Sequence, residues 1–317
     1  MKITQYIENA TDTLFSIEIL PPLKGKSIDS IYHGIDPLME FKPVFVDVTY
    51  HREEYIYRKR HDGGLEKIST RKRPGTVAIC AAIMNRYKVE AVPHIICGGF
   101  NKEETENALI DLHFLGIENV LALRGDSIKN ETQFNPEPDG NKNALELIQQ
   151  IINMNNGIYM DQELTNPFPT DFCTGVACYP EKHFEAPNMT SDLNFMKRKV
   201  DAGAKYAVTQ MFFDNSKYFE FVAKCKEMGI NIPIIPGLKP LTTKKQLSIL
   251  PKIFAIDIPE ELSNEVEKAK DDIAVKQIGI EWAIKQSKEL KEAKVPVLHY
   301  YTMGQSEATK AIASQVF

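Results

Sequence analysis

Residues 101–126 read NKEETENALIDLHFLGIENVLALRGD. Across 101–116, Ala108, Leu109, Leu112 and Leu115 recur at three- and four-residue steps and share one helical face. Gly116 follows as a C-terminal cap. Residues 119–124 are an apolar run with little alternation, as expected of a strand covered on both faces. That run leaves through Arg124-Gly125-Asp126. An amphipathic helix, a glycine stop, an apolar strand and a polar exit make one step of a repeating helix–strand chain.

The same grammar extends in both directions. Apolar runs at 14–19, 44–49, 91–97, 119–124, 173–179, 206–213, 233–238 and 295–302 give eight strand candidates. Residues 191–203 start at a capping Ser191 or Asp192 and carry Leu193, Met196 and Val200 on one stripe. Residues 215–229 open on Asn215 and close on Gly229, and 259–294 form a long charged helix whose stripe includes Ile273, Ile280 and Trp282. Eight strands with intervening helices predict an α/β fold, a (β/α)8 TIM barrel. The 317 residues suit one catalytic domain spanning 1–317, with loop insertions near 52–73 and 127–170. Residues 52–73 hold eight Lys or Arg against four acids around Gly63-Gly64, and read as a solvated mobile loop or, alternatively, a phosphate-gripping one. Residues 127–140 and 155–170 are polar and read as loops.

Composition narrows the function classes. With 43% hydrophobic and 26% charged residues, the chain is built like an ordinary soluble protein. A net charge of −5 does not call for nucleic acid or a membrane surface. No run of about 18 apolar residues or signal-like N-terminus is present. The five cysteines, Cys80, Cys97, Cys173, Cys178 and Cys225, form no C-x-x-C pair and mostly sit in apolar runs, which suggests reduced thiols in a cytoplasmic protein. Zinc spacing, a phosphate loop and G-x-G-x-x-G are all missing, so no metal is expected and any flavin or nicotinamide must be held by barrel loops.

In a barrel, chemistry belongs to the C-terminal strand ends. Glu18, an acid inside an apolar strand closed by Pro21-Pro22, reads equally as a desolvated general acid or as a structural partner of a buried cation. Asp47 and Thr49 alternate with apolar residues ahead of Tyr50 and His51, the pattern of a capped strand end. His94, in an apolar run, reads first as a satisfied core histidine. At Arg124-Gly125-Asp126 the glycine permits close backbone approach, the arginine suits a phosphate and the aspartate a polar ring, or else arginine and aspartate pair within the turn. Tyr179, His183 and Ala186, then Asp192 and Lys197-Arg198-Lys199, could bracket a flat ring and its phosphates, or form a solvated helix face. Gln210 beside aromatics suits a heterocycle edge or a backbone-satisfied core amide.

These strings form a familiar series. FSIEILPP (15–22), VDVTYH (46–51), the Pro93-His94 to Cys97 strand, LALRGD (121–126), ACYPEKHFEA (177–186), KRKVDAGA (197–204) and TQMFFD (209–214) stand in the order found in the methylenetetrahydrofolate reductase family. The resemblance runs from about Phe15 to Tyr301. It implies a barrel with non-covalent FAD that passes electrons from NADH or NADPH to the folate in a ping-pong scheme. The product would be methyltetrahydrofolate, in one-carbon metabolism and methionine biosynthesis. By the same resemblance, Glu18 is the acid that opens the folate five-membered ring, and Asp126 stabilises the resulting cation beside flavin and pterin. Gln210, Tyr301 and Gln305 fall at folate positions and Thr49 at a nicotinamide position. Tyr50, His94, Arg124, Gly125, Asp126, Tyr179, His183, Ala186, Asp192, Arg198 and Lys199 match the flavin site, with Arg198 and Lys199 towards the phosphates.

The chain departs from the bacterial pattern at His51, Phe195, Lys244 and Gln305. It stops at the barrel, so an S-adenosylmethionine-sensing domain and its feedback are expected to be absent. The partners expected are small molecules only, in a homo-oligomer. Two other readings are a different barrel flavoprotein of the proline dehydrogenase kind and a non-catalytic folate-binding barrel.

Overall fold

The computed structural model describes residues 1–127, 131 and 133–317. In chain order the elements are α1 (Ile3–Asn9), β1 (Leu14–Ile19), α2 (Asp29–Ile35), a 3-10 turn (Asp36–Phe41), β2 (Phe45–Val48), β3 (Glu54–Lys59), β4 (Leu65–Thr70), α3 (Thr76–Tyr87), β5 (Glu90–Ile96), α4 (Lys102–Phe114), β6 (Asn119–Leu123) and α5 (Ala144–Asn155). There follow β7 (Cys173–Cys178), α6 (Met189–Asp201), β8 (Tyr206–Thr209), α7 (Asn215–Glu227), β9 (Ile234–Ile235), β10 (Gly237–Leu238), α8 (Gln246–Phe254), α9 (Glu260–Lys268), α10 (Asp272–Glu292), β11 (Val297–Tyr301) and α11 (Glu307–Val316).

One parallel sheet runs β10-β11-β1-β2-β5-β6-β7-β8-β9. Its two end strands are neighbours in sequence, separated only by Pro236, which has no N–H to give the ladder. The Pro236 carbonyl still accepts the His299 amide at 3.1 Å. The chain itself therefore joins the edges, and β9 with β10 is the single strand expected at 233–238. The result is an eight-stranded α/β barrel in one domain.

Two apolar layers hold it. Helices cover the outside of the strands over the larger core, which includes Phe15, Ile17, Val46, Leu109, Leu112 and Val176. A smaller cluster, Phe45, Val92, Leu121, Tyr206, Ile235 and Val297, lies towards the strand starts and fills the barrel interior at that end. Ile3 of α1 joins it, and Asn119 fixes that helix by accepting the Ile3 amide at 2.9 Å and donating to the Met1 carbonyl. With the lower end plugged, the upper interior is left to polar side chains.

Several expectations are corrected. Residues 54–70 form an antiparallel hairpin, not a loop, turned through Asp62-Gly63 with the Arg60 amide donating to the Gly64 carbonyl at 2.8 Å. The long helix at 259–294 is two helices, because Asp271 caps a fresh start by accepting the Ala274 amide. Ile273 lies in that first turn and is 81% exposed, off the buried stripe. Leu115, past the end of α4, is also exposed, while Leu109 and Leu112 are fully buried. Helix α6 is capped by Asn188 instead of Ser191 or Asp192, and α7 by Asp214 ahead of Asn215. The left-handed glycine stops at Gly116 and Gly229 are as expected, and the five cysteines are buried and free. Of the loop expected at 127–140, residues 128–130 and 132 lie outside the described residues.

Candidate active site

Strand alternation sends every second side chain of the barrel inward. Above the apolar plug this brings Ser16 and Glu18 from β1, Asp47 from β2, His94 from β5 and His299 and Tyr301 from β11 together in two successive inward layers. Glu18 is in register with Tyr301 on one side and Asp47 on the other. His94 Nε2 lies 3.5 Å from Glu18 Oε2 and 3.6 Å from Asp47 Oδ2. Ser16 Oγ and His299 Nδ1 are 2.9 Å apart.

Burial sets the electrostatics. It pushes the Glu18 carboxyl up to about 7, against the opposing pull of His94 and Lys239. Burial also holds Asp47 well above the usual carboxylate range, lowers His94, and drives His299 down to about 3. Glu18 is not locked in a buried ion pair: His94, 3.5 Å away, is lowered by burial, and Lys239 makes no ion pair with Glu18 among the described residues. Glu18 is therefore available as a protonated acid near neutral pH.

The rim is built by the loops after the strands. Tyr301 donates to the Thr209 carbonyl at 2.5 Å across the top of the barrel. It can do so only because residue 237 is glycine. A Cβ there would meet the Tyr301 hydroxyl at 2.4 Å and the Thr209 carbonyl at 2.5 Å. Gln210 turns its Oε1 onto the Met211 amide at 3.0 Å. Thr49 buries a hydroxyl with no partner among the described residues, and Tyr50 beside it packs against Phe100 at 5.1 Å. A cavity of about 500 Å³ lies beside Tyr50 in the crevice between α3 and α4, lined among others by Arg71, Val77, His94, Phe100, Thr105 and Ala108. The larger hollow, about 730 Å³, lies by α1 and the ends of α10 and α11, away from the polar strand ends, and is not the site.

On the other side, Gly125 takes the left-handed conformation at φ +84° against Ile96, which Asp126 follows into solvent. Arg124 pairs with Glu185, with Nη2 at 3.0 Å from Oε1, and covers the Phe134 ring. The turn therefore does not hold the Arg124–Asp126 pair that the sequence allowed. Tyr179 meets His183 edge-on at 4.7 Å. Asp192 accepts the His183 amide at 2.9 Å, and Lys182 donates to the Ala186 carbonyl at 2.8 Å, so that loop is held from below. Lys199 turns inward to the Ala177 carbonyl at 2.6 Å, keeping two further N–H groups, while Arg198 is exposed beside Phe195. Gln305 is exposed on the link from β11 to α11, off the polar layer. Lys244 is engaged by Asp272 and the Glu267 carbonyl.

Asp47, His299, Gly237 and Lys239 were not among the site residues expected. Asp47 and His299 carried a signal, since each is a polar residue alternating with another (Thr49, Tyr301) on the inward face of its strand. Gly237 carried none, because its meaning depends on a tyrosine 64 residues away.

A barrel whose strand ends present a desolvated carboxyl under an aromatic and basic rim defines a small-molecule site of the (β/α)8 class. The chain belongs to the methylenetetrahydrofolate reductase family, whose model matches residues 2–316. It is 32% identical to methylenetetrahydrofolate reductase (NADH) 1 of Arabidopsis thaliana over 96% of this chain and 48% of that one. It is 30% identical to 5,10-methylenetetrahydrofolate reductase of Escherichia coli strain K12, over 94% of this chain and 88% of that protein. The chain thus spans about half the length of the plant relative and most of the bacterial one. Among solved structures, an uncharacterized Clostridium thermocellum protein that binds two copies of 5-methyl-5,6,7,8-tetrahydrofolic acid shares the fold. Its TM-score is 0.56 at 16% identity, covering 99% of this chain and 98% of that one. No helix of the described residues is long and apolar enough to cross a membrane.

Proposed function

We propose that this chain reduces methylenetetrahydrofolate to methyltetrahydrofolate with NADH or NADPH, through a non-covalently held FAD. Glu18 carries the reading: it is a carboxyl at the barrel mouth that burial keeps protonated up to about pH 7, in a chain of this family. The reaction would serve one-carbon metabolism and methionine biosynthesis, in the cytoplasm and in a homo-oligomer.

The mouth fits a flavin. Thr49 Oγ1 and His94 Nε2 are buried polar atoms with no hydrogen-bond partner among the described residues, Gly125 lets backbone approach a ring closely, and Tyr179 and His183 give a flat wall. Tyr50, Arg124, Asp126, Ala186, Asp192, Arg198 and Lys199 complete the holding set, with the cationic side chains towards the phosphates. Bound there, FAD would supply hydride transfer between nicotinamide and folate.

The chain's own residues then do the rest. Glu18 holds a proton and delivers it to the folate ring nitrogen, so that the five-membered ring opens to an iminium. Asp126, exposed at the rim, places a carboxylate near the cation so formed. Gln210 and Tyr301 border the pterin, Gln305 stands towards the tail, and Thr49 stands towards the nicotinamide.

The test is the visible spectrum of purified protein under anaerobic conditions. Release of FAD on denaturation, bleaching by NADH or NADPH and recovery on adding methylenetetrahydrofolate are expected. A protein that neither carries nor takes up FAD would overturn the reading.

A further inference from the structure

Below Glu18 sits a carboxyl that the acid step as described does not use. Asp47 has no exposed surface, and neither of its oxygens has a hydrogen-bond partner among the described residues. Buried polar groups left in this way need an explanation. His94 Nε2 is also buried and unpartnered, and stands 3.5 Å from Glu18 Oε2 and 3.6 Å from Asp47 Oδ2. A single imidazole nitrogen therefore lies between two carboxyls. We propose that Asp47 is a positioning residue of the acid step: Glu18 and Asp47, bridged by His94, form one buried unit that shares a proton. The proposal rests on the folate-reductase reading, since it concerns the proton that reading requires.

Like charges in a dry site cannot both be present, so such a pair keeps one proton far above the ordinary carboxylate range. Burial raises both acids, and the Asp47 charge raises Glu18 further. The surroundings relieve the pair only in part, through the pull of His94 and Lys239 on Glu18. Asp47 has His94 from β5 and His299 from β11, whose Nε2 is 3.8 Å away; both imidazoles are lowered and stay neutral. Tyr206 on β8, Tyr301 on β11 and Cys80 on α3 also feel its charge, and burial keeps all three protonated. Lys239 acts on Glu18.

In the resting unit the single shared proton sits on Glu18 and Asp47 is the carboxylate. Glu18 gives that proton to the folate nitrogen, and the cation so formed offsets the second carboxylate charge. The unit takes its next proton from water when the mouth opens.

The polar atoms of Glu18, Asp47 and His299 lie within 4.8 Å of one another, so a divalent cation is the competing occupant. A metal would hold the Glu18 lone pair and end its service as an acid.

The experiment is single-turnover oxidation of the reduced holoenzyme by methylenetetrahydrofolate from pH 6 to 9, in wild type and Asp47→Asn. The asparagine keeps the shape and removes the charge. The alkaline limb of the folate half-reaction should move to lower pH by about one unit, a roughly tenfold slower step above it relative to the nicotinamide half-reaction. If the asparagine variant does not fold, Asp47→Leu, of similar volume and uncharged, carries the same expectation. An unmoved limb overturns the proposal while leaving the folate reaction itself intact. Stoichiometric zinc or another divalent metal, found by elemental analysis in wild type and lost in the variant, overturns it too. Wild type that fails to oxidise its reduced flavin with the folate refutes the underlying reading instead.

Discussion

Replacing Glu18 by glutamine should make the protein more stable at high pH even as it removes the acid. The unfolded glutamate releases its proton near 4.5, while the buried one holds it to about 7. Proton binding therefore favours the folded state fully below 4.5, and the advantage is lost as pH rises through 7. With these values the glutamate penalty grows by about 2.5 kcal/mol between pH 5 and pH 8. Glu18→Gln has no such proton, and its own burial energy does not change with pH. Urea unfolding of both proteins at equal flavin load, followed across that range, gives the difference directly. The variant should gain about 2.5 kcal/mol on wild type from pH 5 to pH 8. A difference that stays flat would mean that Glu18 titrates like an exposed acid, and the desolvation argument would fall.

Gly237→Ala forces a methyl against the Thr209 carbonyl, which cannot step aside, and against the Tyr301 hydroxyl. A loss of about 1–3 kcal/mol in unfolding free energy with impaired folate turnover is expected, and an unchanged urea midpoint would show that the rim has slack. Asp192→Ala removes the acceptor of the His183 amide and should weaken flavin binding roughly tenfold in a fluorescence titration, or not at all if the loop stands without it. Asp126→Asn should slow the folate half-reaction far more than the nicotinamide half-reaction and make the flavin easier to reduce. Equal slowing of both would count against an electrostatic role.

Most of the barrel was legible because its strands are buried on both faces and so read as apolar runs between helices with clear caps. Residues 119–124 and 173–179 are cases where local pattern and tertiary burial agree. The hairpin at 54–70 was not legible, since its strands are charged and exposed. The Asp62-Gly63 turn was the one signal, and basic composition outweighed it. Helix α1 is short, and much of its place is due to Asn119, more than 100 residues away. At the site, Glu18 stood out because an acid in an apolar strand conflicts with its surroundings. Asp47 conflicts equally, but its neighbours Thr49 and His51 made the strand end look polar by design. Only the pairing of β11 and β2 on either side of β1 shows that Asp47 and His299 share one dry interior.

The most direct measurement is stopped-flow comparison of the two half-reactions in wild type and Glu18→Gln, both loaded with FAD. Flavin reduction by the nicotinamide should survive nearly intact, while reoxidation by methylenetetrahydrofolate should fall by at least about 10²–10⁴-fold. The wild-type folate step should decline as pH rises above about 7, where Glu18 loses its proton. A variant that is reoxidised at close to the wild-type rate would show that another group supplies the proton.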